Sequence, residues 1–251
     1  MNTSTLSHSQ LMRYNRHIVL PQVDLDGQEL IARARIAVVG VGGLGNAAAM
    51  SLTGSGVGHL TLIDNDCVED TNLPRQLLFS QQSVGENKAT AARDALRPLN
   101  PDAQFTCIDG ALTGDDALSL LAGHDVVLDC TDNKATRLAV NAACVRHQTP
   151  LVSGAAIRFE GQLFVGHPVC PPCYHCLGEL FSEQQLSCTE AGIFSPVAGI
   201  IGTYQAMLAL QIIIGTGDIP YGKLMCFDAL EHQWQSFSVP RSPACPLCTN
   251  R

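Results

Sequence analysis

The sequence predicts an α/β fold: a Rossmann-like, mostly parallel sheet covered by helices, followed by an antiparallel C-terminal extension with a zinc site of four cysteines. Three observations lead to this class. Short apolar runs alternate with helix-like segments over residues 34–148. Strand-like runs with no helix between them follow over residues 150–168. Two cysteine pairs, each spaced as CxxC, lie in the second half of the chain.

The first of these units covers residues 34–64. ARIAVVG (34–40) is a short apolar run that ends in glycine, and HLTLID (59–64) is a second one. Between them, LGNAAAMSLTGSGVG (44–58) carries small residues at helical spacing. We interpret the segment as strand, glycine turn, helix and strand.

The alternation continues from residue 87 to residue 148. Helices are predicted over 87–100, 114–124 and 133–148, and strands over 103–109 and 125–132. Strands that alternate with helices form parallel sheets with both faces covered. The carboxyl ends of these strands are therefore expected at one edge.

The second half follows a different pattern. Strands are predicted over 150–168, and two more over 223–239 around a turn near Glu231 and His232. The run over 197–215 is long enough to cross a membrane, but it contains glutamines and a tyrosine and has no charged residues close to its ends. We therefore expect a buried core helix and no membrane association.

Composition narrows the class of protein. The 251 residues can bury roughly 75% of the unfolded surface without disulfides. A formal net charge of −8 argues against a broad nucleic-acid surface. The N-terminal 17 residues lack the apolar segment of a secretory signal, and the cysteine count of 11 is odd. We therefore expect a cytoplasmic protein whose paired cysteines bind a metal.

The glycine turn has the sequence GVGGLG, which places Gly40, Gly42 and Gly45 in a GxGxxG pattern between strand and helix. Glycine allows the backbone to approach a phosphate, and the helix N-terminus offers free N–H groups. Asp64 ends the next strand, where a carboxylate can accept hydrogen bonds from a ribose. The pattern indicates an adenine nucleotide and leaves NAD and ATP open.

Four polar residues are expected at the same edge: Asn72, Arg75, Lys88 and Asp132. Taken singly, each is equally well a surface charge or a helix cap. Together, two cations, an amide and a carboxylate suit phosphoryl or nucleotidyl transfer, whose transition state spreads negative charge over phosphate oxygens.

The cysteines lie in CPPCYHC (170–176) and in CPLC (245–248). Two CxxC pairs far apart in sequence are typical of a closed, four-thiolate zinc site with a structural role. Spacing alone leaves open whether Cys173 pairs with Cys170 or with Cys176. A redox CxxC is the alternative, but no thioredoxin-like context is evident.

A set of motifs occurs in a characteristic order: GVGGLG, LTLID.D, TNLPRQ, LDCTDN, VSGAAIRFEGQ, CYHC, AGIFSPVAGIIG and CPLC. In that order they resemble the ubiquitin-activating-like adenylyltransferases, from LMRYNRHIVL (11–20) to the last cysteine pair. VSGAAIRFEGQ is closer to the molybdopterin branch of that family than to its thiamine branch.

The resemblance implies ATP-dependent adenylation of the C-terminal carboxylate of a small ubiquitin-like sulfur carrier that ends in Gly-Gly. The implied carrier is the small subunit of molybdopterin synthase, with the thiamine-pathway carrier as the alternative. The resemblance also implies a homodimer and a separate sulfur donor. It implies one domain over 1–251, with a helical arm (1–33), a nucleotide-binding part (34–150) and a carrier-binding, zinc-stapled part (151–251).

The resemblance assigns site residues by motif. The implied ATP contacts are Gly42, Gly43, Gly45, Asp64, Thr71, Asn72, Leu73, Pro74, Arg75, Lys88, Asp132 and Asn133. The implied catalytic residues are Arg16, Arg75, Lys88 and Asp132, with Cys188 as a thioester cysteine or an ordinary thiol. Asp132 would hold Mg²⁺, and Arg16 would reach the site of the partner subunit.

The resemblance also implies that the zinc ligands are Cys173, Cys176, Cys245 and Cys248, with Cys170 as a spare. Two departures from the family pattern stand out: Pro74 replaces the usual glutamine, and Asn87 replaces a common proline. Pro74 has no backbone N–H for a phosphate. The alternative functions are an NAD-dependent oxidoreductase and a non-catalytic zinc scaffold. Neither explains all of these motifs.

Overall fold

Eight strands form one sheet within the part of the chain that the structure describes. The structure, a computed structural model, describes residues 5–181 and 191–248. The strands are β1 Arg35–Val39, β2 His59–Ile63, β3 Gln104–Ile108, β4 Val126–Asp129, β5 Leu151–Ile157, β6 Glu160–Gly166, β7 Lys223–Asp228 and β8 Gln233–Ser238. Their order in the sheet is β3-β2-β1-β4-β5-β6-β7-β8.

The helices lie between these strands and at the N-terminal end. They are α1 His8–Arg13, α2 Asn15–Ile18, α3 Asp24–Arg33, α4 Gly43–Ser55, α5 Lys88–Leu96, α6 Gly114–Leu120, α7 Lys134–His147, α8 Tyr174–Gly178 and α9 Ser195–Ile214. Two 3₁₀ turns, Asp70–Asn72 and Gln81–Ser83, separate β2 from α5.

The sheet changes from parallel to antiparallel at β5. Strands β3, β2, β1, β4 and β5 are parallel neighbours. From β5 onward the neighbours are antiparallel and consecutive in the chain. This confirms the predicted mixed sheet, and it follows from the presence of crossover helices in the first half and short turns in the second.

The parallel part contains a topological switch point. From β1 the chain proceeds to β2 and β3 on one side, and then to β4 and β5 on the other. The connections after β1 and β4 therefore diverge at the carboxyl edge and leave a crevice between them. In open α/β sheets, ligands bind in such a crevice.

The parallel strands are buried on both faces. On β1, Ile36 and Val38 belong to the core shared with α4, α5 and α9, whereas Ala37 and Val39 belong to the core shared with α6 and α7. Alternate residues of a strand point to opposite faces. The predicted covering of both faces by helices is confirmed.

Helix α9 is mostly apolar and packs against α4 and the sheet. A β-carbon on Gly202 would overlap the carbonyl oxygen of Leu44, so glycine permits this close approach. Among the described residues α9 is the one helix long and apolar enough to span a membrane. Its buried residues, such as Ile201 and Leu208, lie in the cores shared with neighbouring elements, which confirms the predicted core helix.

Candidate nucleotide-binding edge and cysteine cluster

The glycine loop connects β1 to α4 and has a backbone that other residues would not adopt. Gly40 has φ +85°, and a β-carbon there would lie 2.9 Å from the carbonyl oxygen of Cys130. A β-carbon on Gly45 would overlap the carbonyl oxygen of Gly40. Gly42 caps α4 without a side chain, so the first N–H groups of the helix point toward the crevice for an anion.

Asp64 follows β2 and is held by two backbone amides. Its Oδ2 accepts from the N–H of Val41 at 2.6 Å, and its Oδ1 accepts from the N–H of Asp66 at 2.9 Å. Burial raises the pKa of Asp64, although these two hydrogen bonds oppose the shift. The carboxyl group is therefore fixed beside the glycine loop, where it can accept from ribose hydroxyls.

The turn after β4 lies against the same loop. The carbonyl of Cys130 and the N–H of Thr131 lie close to Gly40. The next residue, Asp132, is exposed. Asn133 caps α7, and its side chain accepts from the N–H of Thr136 at 2.8 Å. The crevice is thus bordered by two helix N-termini and an exposed carboxylate.

The two predicted cations reach the edge by different routes. The side chain of Arg75 lies beside Gly43, and its Nη1 donates to the carbonyl of Thr71 at 2.8 Å. The ammonium of Lys88 is nearly buried and donates to Oδ2 of Asp66 at 2.8 Å. The sequence analysis assigned no role to Asp66, although this residue is the last one of the LTLID.D motif.

Residues 71–74 comprise the last two residues of the 3₁₀ turn Asp70–Asn72 and the two residues that follow it. Asn72 is buried, and its Oδ1 accepts from the N–H of Glu69 at 3.2 Å, so its side chain holds the turn. Thr71 and Pro74 are exposed, and Leu73 is half-buried. The phosphate contacts predicted for this segment would therefore come from its exposed residues. Asn72 would act indirectly, by holding the turn in place.

Gln76 was missed by the sequence analysis, although TNLPRQ contains it. It is 2% exposed, and its Nε2 would lie 3.9 Å from a β-carbon on Gly42. Its buried Oε1 has no hydrogen-bond partner among the described residues. A buried carbonyl oxygen beside the loop is a group that a ligand could satisfy.

Asn87 stands where proline is common in the family, and in this chain its side chain has a structural role. Its Oδ1 accepts from the N–H groups of Ala89 and Thr90, which caps α5. Its Nδ2 donates to the carbonyl of Asp64 at 2.9 Å. The residue therefore ties the start of the helix that carries Lys88 to the residue expected to bind ribose.

Arg16 lies far from this edge within its own chain. It is exposed in the last turn of α2, two residues after Tyr14. Tyr14 packs against Gly56, at the C-terminal end of α4, whereas the glycine loop is at the N-terminal end. The 13 residues of α4 span about 20 Å at a rise of about 1.5 Å each. The structure thus does not bring Arg16 to the loop of its own chain.

The four cysteines predicted as zinc ligands are brought together. The sulfur atoms of Cys173, Cys176, Cys245 and Cys248 lie within 4.8 Å of one another, and all four residues are buried. The Sγ atoms of Cys173 and Cys245 are 3.7 Å apart, as are those of Cys176 and Cys248. Tetrahedral zinc with Zn–S bonds of about 2.3 Å requires sulfur separations of about 3.8 Å, so the residues fit this metal.

Within CPPCYHC the structure places Cys173 and Cys176 in the cluster. Cys173 is the N-cap residue of α8 and Cys176 lies within the helix, whereas Cys170 is exposed and outside the cluster. The separation of 3.7 Å between sulfur atoms is far longer than a disulfide bond. Helix α8 was not predicted, because five residues are too few to show a helical period.

The thiols differ in their protonation tendencies. Burial raises the pKa of Cys245 and of Cys248. For Cys176, burial acts in the same direction, but hydrogen bonds from the backbone of Ser242 and Cys173 outweigh it and lower the pKa. Thiolates bind zinc, so this environment already favours one of the four required anions.

Cys188, the candidate thioester cysteine, lies outside the described residues. Cys130 and Cys144 are buried, and burial raises the pKa of both thiols. Such thiols are packing residues.

Comparisons with known proteins agree with this geometry. The sequence profile of the ThiF family matches residues 14–247. The chain is 46% identical over 244 residues to the molybdopterin-synthase adenylyltransferase of Salmonella typhimurium, covering 97% of this chain and 98% of that protein. It is 41% identical over 247 residues to the sulfur carrier protein ThiS adenylyltransferase of Escherichia coli, covering 97% of each. A crystal structure of E. coli MccB with ATP has a TM-score of 0.81 and 25% identity, covering 94% of this chain and 74% of that one.

Proposed function

The chain belongs to the ThiF family, and on that premise we propose that it is an ATP-dependent adenylyltransferase acting on a sulfur-carrier protein. Its substrate is the C-terminal Gly-Gly carboxylate of a small ubiquitin-like carrier, and its products are an acyl-adenylate and pyrophosphate. The carrier is the small subunit of molybdopterin synthase, so the reaction belongs to molybdenum cofactor biosynthesis. The identity of 46% to a molybdopterin-synthase adenylyltransferase supports this choice.

One observation carries the proposal: the switch-point crevice collects a glycine loop, a fixed carboxylate and an exposed carboxylate. Asp64 is bonded to the N–H of Val41 in the loop, and the turn before Asp132 rests on Gly40. Hydride transfer, the alternative of another class, would use the loop and Asp64. It would leave Asp132 and the cations Arg75 and Lys88 without a role.

The chain's residues would act by binding and by compensating charge. The nucleophile is already an anion, since a C-terminal carboxylate is ionised at neutral pH, so no general base is needed. Its oxygen attacks the α-phosphorus. The new O–P bond forms as the bond to the bridging oxygen breaks, and pyrophosphate leaves with that electron pair. The barrier comes from repulsion between the two anions and from alignment.

Each residue would lower one part of that barrier. The N–H groups at the start of α4 would bind phosphate oxygens, and Asp64 would orient the ribose. Arg75 and Lys88 would compensate the charge on the phosphates, and residues 71–74 would line them. Asp132 and the neighbouring Asn133 would hold magnesium. Carboxylate oxygens are its usual ligands, and when bound it would supply further charge compensation at the phosphates.

A homodimer would complete the site. Arg16 lies near the end of α4 opposite its own glycine loop, so its guanidinium would serve the loop of the partner subunit. Symmetric pairing makes such exchange reciprocal. Chains with Arg16→Ala and with Asp132→Ala are each expected to be inactive. Mixing them should restore up to about a quarter of wild-type activity through dimers with one intact site, whereas no recovery would contradict shared sites.

The division of the chain follows from these roles. We assign one domain to residues 1–251. Within it, residues 1–33 serve the partner's site, residues 34–150 bind ATP, and residues 151–251 bind the carrier. Zinc on Cys173, Cys176, Cys245 and Cys248 would fasten the C-terminal segment to α8. A closed site of four thiolates leaves no position for substrate, so the metal is structural.

The thiamine-pathway carrier is the second candidate substrate, favoured by the identity of 41% to the sulfur carrier protein ThiS adenylyltransferase. Sulfur would come from a separate donor protein. Cys188 would either form a thioester with the activated carrier or remain an ordinary thiol. Loss of sulfur transfer but not of pyrophosphate exchange in Cys188→Ala would assign the thioester. We also propose that the enzyme works in the cytoplasm, without a nucleic-acid or membrane partner.

The test is ATP–pyrophosphate exchange with purified protein and each carrier. Exchange should require a carrier that ends in Gly-Gly and should cease when the two glycines are removed, because the terminal carboxylate then lies out of reach. The molybdopterin carrier should give a higher kcat/KM than the thiamine carrier. Pyrophosphate exchange at the same rate with and without a carrier would overturn the proposal, as would reduction of NAD by the same preparation.

A further inference from the structure

Helix α7 buries two polar side chains one turn apart. Arg137 is 9% exposed and Asn141 is 2% exposed, and residues four apart lie on the same face of a helix. A buried guanidinium is costly unless it is paired and its N–H groups are bonded. Neither residue is among the expected ATP or zinc contacts, so their partners indicate what they do.

Arg137 is bonded to the strands and the turn at the crevice. Its Nη2 donates to the carbonyl of Thr131, and also to the carbonyl of Gly154 at 2.8 Å. Its Nη1 donates to Oγ of Ser153 at 3.2 Å and lies 3.7 Å from Oδ2 of Asp129. The guanidinium thus joins the end of β4 and the turn after it to the middle of β5.

The same turn is fixed from its other side. Oδ1 of Asp129, which is fully buried, accepts from the N–H and from Oγ1 of Thr131, at 3.1 and 2.7 Å. Thr131 is therefore held at its N–H, its hydroxyl and its carbonyl. The next residue is Asp132, whose carboxylate direction depends on this peptide.

Asn141, the other buried polar residue of α7, contacts the cysteine cluster and the residue next to it. Nδ2 of Asn141 donates to Sγ of Cys173 at 3.5 Å, and its Oδ1 accepts from the N–H of Tyr174 at 2.9 Å. The hydroxyl of Tyr174 accepts from Nη1 of Arg137 at 3.4 Å, and the guanidinium lies 5.8 Å from its ring centroid. One residue after a zinc ligand, Tyr174 therefore contacts the arginine that holds the crevice turn.

We propose that Arg137, Tyr174 and Asn141 couple metal occupancy of the cysteine cluster to nucleotide binding at Asp132. Metal binding fixes Cys173, which fixes the start of α8 and Tyr174. Tyr174 confines Arg137, and Arg137 sets the carbonyl of Thr131. Hydrogen bonds to metal-bound sulfur and its neighbours commonly orient such sites. Arg137 is thus a positioning residue.

Coupling between two sites is reciprocal, so nucleotide binding must strengthen metal retention by the same factor. The proposal rests on the proposed function only in placing the nucleotide at Asp132. It does not require that any carrier be adenylated. A measurement of zinc affinity therefore tests it separately from pyrophosphate exchange.

The experiment measures the zinc affinity of the full-length chain by equilibrium competition with a chromogenic chelator. It is run with and without saturating magnesium and a non-hydrolysable ATP analogue. Nucleotide should raise the zinc affinity by about fivefold or more, the lower range of typical coupling between sites. Equal affinities would overturn the proposal, even in a protein that catalyses pyrophosphate exchange normally.

Three variants locate the coupling. Tyr174→Phe removes the hydroxyl and keeps the ring, and Arg137→Lys keeps the charge but cannot bond several partners at once. Both should bind one zinc per chain, with the same affinity in the presence and absence of nucleotide. Arg146→Lys, on the exposed side of α7, is the matched control and should behave as the wild type. If Arg137→Lys fails to fold, Tyr174→Phe decides, and wild-type coupling in that variant would overturn the proposal.

Discussion

The cysteine cluster and the nucleotide-binding edge differ in how much of each site the chain completes by itself. The four cysteines are each at most 3% exposed, with sulfur separations that already suit a tetrahedral metal. At the edge, Asp132 is exposed, Lys88 is bonded to Asp66, and Gln76 has a buried oxygen without a partner among the described residues. A structural site is closed by its own chain, whereas a site for substrates leaves groups to be satisfied by ligands.

Removing a cluster ligand should have the largest effect. Cys176→Ser leaves three thiolates on a closed site, and structural zinc contributes about 10 kcal/mol or more to folding in small zinc domains. We expect loss of bound zinc and a fall in the free energy of unfolding of more than about 4 kcal/mol. Zinc content by elemental analysis and urea unfolding measure the two effects.

Cys170→Ser is the matched control, because Cys170 is exposed beside the cluster. It should keep one zinc per chain and wild-type stability. The assignment of the ligands would be wrong if Cys170→Ser lost zinc and Cys176→Ser kept it.

A methyl group in the glycine loop should come second. In Gly45→Ala the new carbon would overlap the carbonyl oxygen of Gly40, so the loop must move and lose its phosphate-binding shape. Overpacking costs about 1–3 kcal/mol, and ATP affinity should fall at least about tenfold, which corresponds to about 1.4 kcal/mol. Calorimetric titration with ATP measures the affinity.

The control lies on the same helix. At Gly54 the nearest side-chain atom would be 4.0 Å from a new β-carbon, so Gly54→Ala should bind ATP normally. It should gain about 0.5–1 kcal/mol from helix propensity. Equal loss of ATP binding in both variants would mean that Gly45 has no special role.

The cap of α5 should have a smaller effect. Asn87→Ala removes two hydrogen bonds at the helix N-terminus and one to the carbonyl of Asp64. The expected loss of stability is about 1 kcal/mol, with weaker ATP binding because Asp64 and Lys88 lose their common support. Unchanged stability in urea unfolding would show that the cap is dispensable and that proline would serve equally well.

The pH dependence of nucleotide binding should be the smallest effect. Burial raises the pKa of Asp64, so this carboxyl group gains a proton at a higher pH than an exposed aspartate. ATP affinity should therefore fall as the pH decreases through that raised pKa, since the protonated group accepts hydrogen bonds less well. Asp64→Asn should bind more weakly at neutral pH and lack this dependence, and an identical pH profile in the two proteins would contradict the role of Asp64.

The sequence predicted the sheet and the long helices well, because their signals are local. Apolar runs and helical spacing located β1, α4 and β2 within a few residues of their observed bounds. CxxC spacing predicted a four-cysteine cluster, since thiolate chemistry restricts both residue type and distance, and the family resemblance was needed to choose Cys176 over Cys170. The three-residue turn at Asp70–Asn72 and the five-residue α8 have no period to detect.

The rest of the site depends on tertiary contacts. Asp66 contacts Lys88 because β2 and α5 are adjacent in space, and Gln76 lies beside Gly42 because the chain turns back after the 3₁₀ turn. Both residues lie in motifs that carry the family resemblance, but the sequence analysis assigned a role to neither. Sequence analysis predicted the helix over 133–148 without singling out Arg137, and only its partners on β4, β5 and α8 reveal its position.

A paired measurement separates the two regions, the cysteines that stabilise the fold and the crevice that performs the chemistry. Carrier-dependent ATP–pyrophosphate exchange and zinc content are determined on the same samples of wild-type protein and Asp132→Ala. The variant should retain one zinc per chain and wild-type stability, and its exchange should fall at least about a thousandfold, or about 4 kcal/mol of transition-state stabilisation. Exchange at the wild-type rate in zinc-loaded Asp132→Ala would contradict this assignment of roles.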